Sequence, residues 1–169
     1  MRTIEAAHQG NHILIYTDGS CYSNPGPGGY AAVLRRMDGA TETKKRRLRG
    51  RDPSETTNNR MELTAAIAAL ECIKATEPET IVMMCDSEYV AKGMTKWVPN
   101  WQANGWVGSG RKPVANRDLW ERILAASTGK TIEWRWVKAH AGNAFNEEVD
   151  RLARQEMEKA RAESYGFAA

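Results

Sequence analysis

The stretch Ile13-Leu-Ile-Tyr-Thr-Asp-Gly-Ser20 constrains the fold more than any other part of the chain. Ile13 and Ile15 point one way along an extended chain, Leu14 and Tyr16 the other, and all four are apolar. A strand apolar on both sides is buried on both sides, which places it in the middle of a sheet. It ends on a carboxylate, Asp18, and runs into Asn24-Pro-Gly-Pro-Gly-Gly, a strong turn signal. A central strand that delivers an acid to its edge needs a reason, and later acids supply one.

The remaining pattern sets the architecture. Tyr30–Arg36 is a second strand, and Met37-Asp-Gly-Ala40 is a hairpin signal, because Asp-Gly readily adopts positive φ. Thr41 to Arg49 is a polar third strand whose basic residues face outward. Leu63, Ile67 and Leu70 repeat at helical spacing within an alanine-rich helix over 58–75, with Thr57, Asn58 and Asn59 as N-cap candidates. Thr80 to Cys85 is a short continuous apolar run, hence a buried strand, and Asp86-Ser87 leads into a helix over 88–93. A short helix over 95–101, a loop or protrusion over 102–114 and a helix over 117–126 follow. Thr131–Val137 alternates as a strand, and 146–162 is a long terminal helix. The order predicts an α/β fold with a mixed five-stranded sheet. Three antiparallel strands are followed by α-connected parallel ones, with helices on both faces. The 169 residues suit one domain: 1–11 reads as a flexible leader, 12–162 as the domain and 163–169 as a tail.

Composition excludes several classes. No apolar run approaches the roughly 20 residues of a membrane span, and the first residues lack the apolar core of a signal peptide. Three cysteines, Cys21, Cys72 and Cys85, argue against a disulfide scaffold, so the cytoplasm is the default compartment. No apolar surface stripe asks for a second copy, and a monomer is expected. The net charge is only +3, but its distribution is uneven. Lys44 to Arg47 with Arg49 and Arg51 form one basic cluster. From Met94 to Arg117 there is no carboxylate, while Lys96, Arg111, Lys112 and Arg117 alternate with Trp97, Trp101 and Trp106. Basic residues interleaved with aromatics suit a nucleic acid; a solvated strand face and core tryptophans are the structural alternatives.

Singly, the acids have structural readings. Glu62 follows Asn59 by three residues, as in a capping box; Asp86 suits an N-cap; Asp18 suits an Asx turn; Asp150 suits a solvated helix face. Together they read differently. Asp18 and Asp86 end the two most apolar strands, Glu62 opens a helix that packs on that sheet, and Asp150 lies on the last helix. Four gathered carboxylates repel one another, and divalent cations with a preference for oxygen ligands, such as Mg²⁺, would relieve this. Two such ions suit phosphodiester hydrolysis. His140, in the glycine-bearing loop before the last helix, is placed to relay protons.

These residues also carry a resemblance. Thr17-Asp-Gly-Ser-Cys-Tyr-Ser-Asn-Pro-Gly-Pro-Gly-Gly-Tyr30, Thr56-Thr-Asn-Asn-Arg-Met-Glu-Leu63, Asp86-Ser-Glu-Tyr-Val90, Asn116-Arg-Asp-Leu-Trp120, Trp136-Val-Lys-Ala-His-Ala-Gly142 and Asn146-Glu-Glu-Val-Asp150 resemble, in order, the motifs of the bacterial ribonuclease HI family (RNase H type 1). The resemblance covers about residues 12 to 155. It implies the ribonuclease H-like fold. It also implies endonucleolytic hydrolysis of the RNA strand of an RNA/DNA hybrid, leaving 5′-phosphate and 3′-hydroxyl ends. It implies two Mg²⁺ per site, with Mn²⁺ as an alternative, held by Asp18, Glu62, Asp86 and Asp150, and His140 as proton shuttle. Asn24, Asn58 and Asn59 match hybrid contacts, Thr57 and Asn116 a phosphate pocket for the DNA strand, and Trp97 to about Lys112 the basic protrusion. RNA would be told from DNA by its 2′-hydroxyls and helix shape.

The chain departs from the family in four places. Its protrusion, Trp101-Gln-Ala-Asn-Gly-Trp106, is poor in lysine, which implies weaker hybrid binding and a shallower salt dependence. Glu88 stands where glutamine is common, Ala139 where glycine precedes the histidine, and Phe145 where an acid is frequent. Three rival classes differ in stated ways. An aspartyl-phosphate hydrolase needs an aspartate where this chain has Tyr16. A DNA-cleaving integrase or resolvase shares the fold but not Asn58, Asn59 and the tryptophans. A non-catalytic hybrid-binding module would lack one of the four acids.

Overall fold

The computed structural model describes residues 10–138 and 142–166. β1 (Asn11–Cys21), β2 (Gly26–Asp38) and β3 (Thr41–Thr56) form an antiparallel meander. α1 (Asn58–Glu71) leads to β4 (Thr80–Cys85). Then come α2 (Glu88–Lys92), a π-helical turn (Gly93–Trp97), α3 (Val98–Asn104), a 3₁₀ turn (Ser109–Arg111), α4 (Arg117–Ser127), β5 (Ile132–Trp136) and α5 (Ala144–Ser164). The strand order is β3-β2-β1-β4-β5, so β1 is central as its two apolar faces require. β4 lies parallel to β1 on one side and to β5 on the other.

The two faces of the sheet carry separate cores. Ile13 and Ile15 join Leu63, Ile67 and Leu70 of α1 and Trp120 and Ile123 of α4. Leu14 and Tyr16 join Val149, Leu152 and Ala153 of α5. The alternation of β1 thus assigns α1 and α4 to one face and α5 to the other. Gly39, at φ 56°, makes the two-residue turn between Asp38 and Thr41, as the Asp-Gly pair predicts.

Several boundaries differ from the sequence expectation. β1 continues past Asp18 to Cys21, because β2 stays paired with it there, Asp18 facing Ala31. Asp18 therefore lies within the strand, just beyond the last residue paired with β4. β3 is longer than 41–49, since β2 extends back to Gly26 and pairs with it up to Thr56. α1 stops at Glu71 rather than 75, with Cys72 as its C-cap. The helix expected over 95–101 is a π-turn followed by α3. Pro99 lies in the first turn of α3, directly after the π-turn. The elements span Asn11 to Ser164, slightly beyond 12–162. Among the described residues no helix is long and apolar enough to cross a membrane.

Candidate active site

Parallel pairing of β1 and β4 ends at Thr17↔Cys85. The next residue on each strand is an aspartate, so Asp18 and Asp86 emerge side by side at the carboxyl edge of the parallel strands. Glu62 arrives from the second turn of α1. Thr57 is the N-cap there, its Oγ1 accepting from Arg60 N at 3.2 Å. The capping-box reading of Glu62 therefore fails, since Asn59 is already inside the helix. α1 can deliver Glu62 because it rests directly on β1: a Cβ on Gly19 would lie 2.5 Å from the backbone N of Glu62. The same device seats α5. A Cβ on Gly29 would overlap the backbone of Met157 and Ala153.

Carboxylate oxygens of Asp18, Glu62 and Asp86 lie within 4.8 Å of one another. Asp18 and Glu62 are buried, and Asp86 is half-buried. No lysine or arginine among the described residues pairs with any of the three. Burial and the charges of Asp86 and Asp150 push Asp18 up to about 8, although a hydrogen bond with Glu62 and the Gly19 N–H (2.9 Å) draw it down. Burial, then Asp18 and Asp86, raise Glu62 well above the carboxylate range. Burial and Asp150 raise Asp86 to about 6. Asp150 thus exerts its charge on the group but stands outside the 4.8 Å set, and it pairs with Arg154 at 3.2 Å. Glu62 Oε2 is buried with no hydrogen-bond partner. A buried acceptor without a donor, in a cluster of mutually repelling oxygens, fits a divalent cation. His140 and Ala139 lie outside the described residues.

The expected substrate-binding residues are tied to the start of α1 and to α2. Asn24 Oδ1 accepts from Asn58 N at 3.2 Å, tying the turn after β1 to the start of α1. Asn58 and Asn59 are exposed. Asn116 is the N-cap residue of α4, and its Oδ1 accepts from Arg60 Nη1 at 3.2 Å. Trp97 meets Tyr89 edge-on (5.7 Å between centroids) and Trp101 at a tilt (5.9 Å), and Trp101 meets Trp106 at a tilt (6.0 Å). All three are half-buried; Trp101 and Trp106 pack on the core, and Trp97 and Trp101 line an open cleft of about 450 Å³ with Tyr89, Lys112 and Val114. The reading as core tryptophans therefore holds for Trp101 and Trp106.

The basic cluster on β3 is exposed, as expected, but four of its cations are paired with α5. Lys45 (2.9 Å) and Arg47 (2.7 Å) bond Glu148, while Arg49 (2.6 Å) and Arg51 (3.0 Å) bond Glu156. Arg51 also reaches Glu163, expected in the tail but part of α5. These cations hold α5 against β3. Sequence reasoning also missed Tyr89 and Trp136. The Trp136 indole donates to Asp86 O at 3.1 Å and fixes the backbone beneath that acid. Its strand alternation gave no hint of this.

The RNase H family profile matches residues 10–158. The Ribonuclease H of Jannaschia sp. (strain CCS1) is 50% identical over 145 residues, covering 86% of this chain and 90% of that protein. The crystal structure of LC9-RNase H1, a type 1 RNase H with the type 2 active-site motif, aligns at a TM-score of 0.78 with 32% identity, covering 89% of this chain and 74% of its own. LC11-RNase H1 in complex with RNA/DNA hybrid shares the fold at a TM-score of 0.61 and 24% identity, covering 88% of this chain and 98% of its own. Motifs, fold and relatives agree: the chain belongs to the RNase H family.

Proposed function

We propose that this protein is an endoribonuclease that hydrolyses the RNA strand of RNA/DNA hybrids, leaving 5′-phosphate and 3′-hydroxyl ends. The observation that carries the reading is the convergence of Asp18, Glu62 and Asp86 within 4.8 Å, without a cationic side chain, in a chain of the RNase H family. Asp18, Glu62, Asp86 and Asp150 would hold two divalent cations, Mg²⁺ or alternatively Mn²⁺. Bound there, the ions would supply the positive charge that hydrolysis needs at the attacking and leaving oxygens. His140 serves as proton shuttle to the leaving group. Asn24, Asn58 and Asn59 contact the hybrid, Thr57 and Asn116 hold a DNA-strand phosphate, and Trp97 with the cleft beside it guides the duplex. The hybrid bound by LC11-RNase H1 supports this substrate class. The enzyme acts as a cytoplasmic monomer.

The test is cleavage of end-labelled RNA/DNA hybrid, double-stranded RNA and double-stranded DNA with Mg²⁺. Cutting of the hybrid's RNA strand alone, abolished by Asp86→Asn, is expected. Cutting of DNA would favour an integrase-like or resolvase-like nuclease. Binding without cutting would make the chain a hybrid-binding module, and full activity in Asp86→Asn would displace the site.

A further inference from the structure

Asn116 occupies the N-cap of α4 without using its side chain as a cap. An asparagine there ordinarily accepts from the helix's first free N–H groups. Here the backbone sits at φ 61°, a left-handed conformation that asparagine tolerates better than most residues, and the amide is turned to other partners. Its Oδ1 accepts from Arg60 Nη1 (3.2 Å), and its Nδ2 donates to the Tyr89 hydroxyl (3.1 Å). The orientation is unambiguous, because a guanidinium only donates, so the oxygen end must face Arg60. Arg60 is itself fixed by a two-pronged pair with Asp118 at 3.0 and 2.9 Å. The Tyr89 oxygen also accepts from Nε1 of Trp120, at 3.2 Å, and Trp120 is fully buried. One end of the amide is thus anchored to an ion pair and the other, through Tyr89, to the core.

We infer that Tyr89 is a positioning residue for substrate: its hydroxyl, with Arg60, holds the Asn116 amide so that one Nδ2 hydrogen is kept for a DNA-strand phosphate. This rests on the proposed role of Asn116. Two Nδ2 hydrogens exist, and Tyr89 takes one. A pre-oriented donor loses less freedom on binding than a free one, so its hydrogen bond to an anionic oxygen counts more fully. Tyr89→Phe keeps the ring contacts with Trp97 and Trp120, removes one oxygen, and leaves the Asn116 amide free to rotate about the Arg60 bond.

The experiment scans single neutral methylphosphonates along the DNA strand of a hybrid. Binding and KM are measured for the wild type, Asn116→Ala and Tyr89→Phe. In the wild type one position should weaken binding by about tenfold, and Asn116→Ala should erase that penalty. Tyr89→Phe should reduce it to about twofold or less, and raise KM on the unmodified hybrid more than it lowers kcat. A full penalty in Tyr89→Phe, with or without a lower melting temperature, makes Tyr89 merely structural and overturns the inference. If no position gives a penalty that Asn116→Ala erases, the inference falls together with the assignment of Asn116. Cleavage of the hybrid by the wild type reports separately on the proposed function.

Discussion

Two groups of carboxylates sit in this fold in opposite company. Along the β3–α5 face, Glu148 meets Arg35 (2.7 Å), Lys45 and Arg47, and Glu156 meets Arg49, Arg51 and Lys159. Burial would raise Glu148, but hydrogen bonds from Lys45 and Arg47 carry it down to about 2. At the strand edge, Asp18 has acids for neighbours and is driven up to about 8. One chemical group spans some six pH units across one small domain, between about 2 and about 8, because its partners differ. The paired set joins elements far apart in sequence. The unpaired set holds repulsion that protonation or a bound cation would relieve, which is the physical ground for proposing it as the site.

The comparison can be broken first through activity. Glu62→Gln should lower hybrid cleavage by about a thousandfold or more with an unchanged circular dichroism spectrum; residual activity near a tenth would mean the unpaired acids are not the site. Next is stability on the paired side. Glu148→Ala removes one of the two acids paired with the buried Arg35, leaving Glu42 at 3.1 Å, and should cost on the order of 2 kcal/mol in urea unfolding. Glu148 is held below its ordinary value, so its stabilisation is complete above about pH 4.5 and is lost as pH falls toward 2. An acid-unfolding curve that Glu148→Gln leaves unshifted would contradict the pairing.

On the unpaired side the sign reverses. Asp18 is raised, so the metal-free folded state binds more protons than the unfolded chain between about pH 4 and 8, and stability falls as pH rises through that window. Asp18→Asn should therefore stabilise the metal-free protein by on the order of 2 kcal/mol at pH 8, with the gain vanishing near pH 4. A loss of stability would make Asp18 chiefly structural. The smallest effect is on salt dependence. Arg49→Ala should leave the salt slope of hybrid binding unchanged, because Arg49 is already paired, whereas Lys112→Ala should reduce it by about 1.

Much of this was legible in the sequence. Asp18 and Asp86 were readable because a buried strand ending in an acid is visible in one short window, and the helical repeat of α1 brought Glu62 to the same edge. The pairing of four β3 cations was not readable because their partners, Glu148, Glu156 and Glu163, lie some hundred residues away on a helix; nothing local separates a paired arginine from a free one. Tyr89 escaped notice for the same reason, as its role exists only through Asn116 and Trp120, brought to it by the fold. β3 was expected too short because its second half, Gly50 to Thr56, holds glycine and proline and little apolar pattern. Pairing with β2 makes it a strand.

Gly19 and Gly29 have a bearing on how this protein tolerates change. Both helices that carry site acids touch the sheet backbone to backbone at these points, so the gap between Glu62 and Asp18 is gauged by main chain rather than by core side chains. Leucine-for-isoleucine drift in either core can proceed while that gauge holds. A single added methyl at either glycine would lift a helix and open the site with every carboxylate still in place. An inactivating variant of this enzyme need not alter any charge.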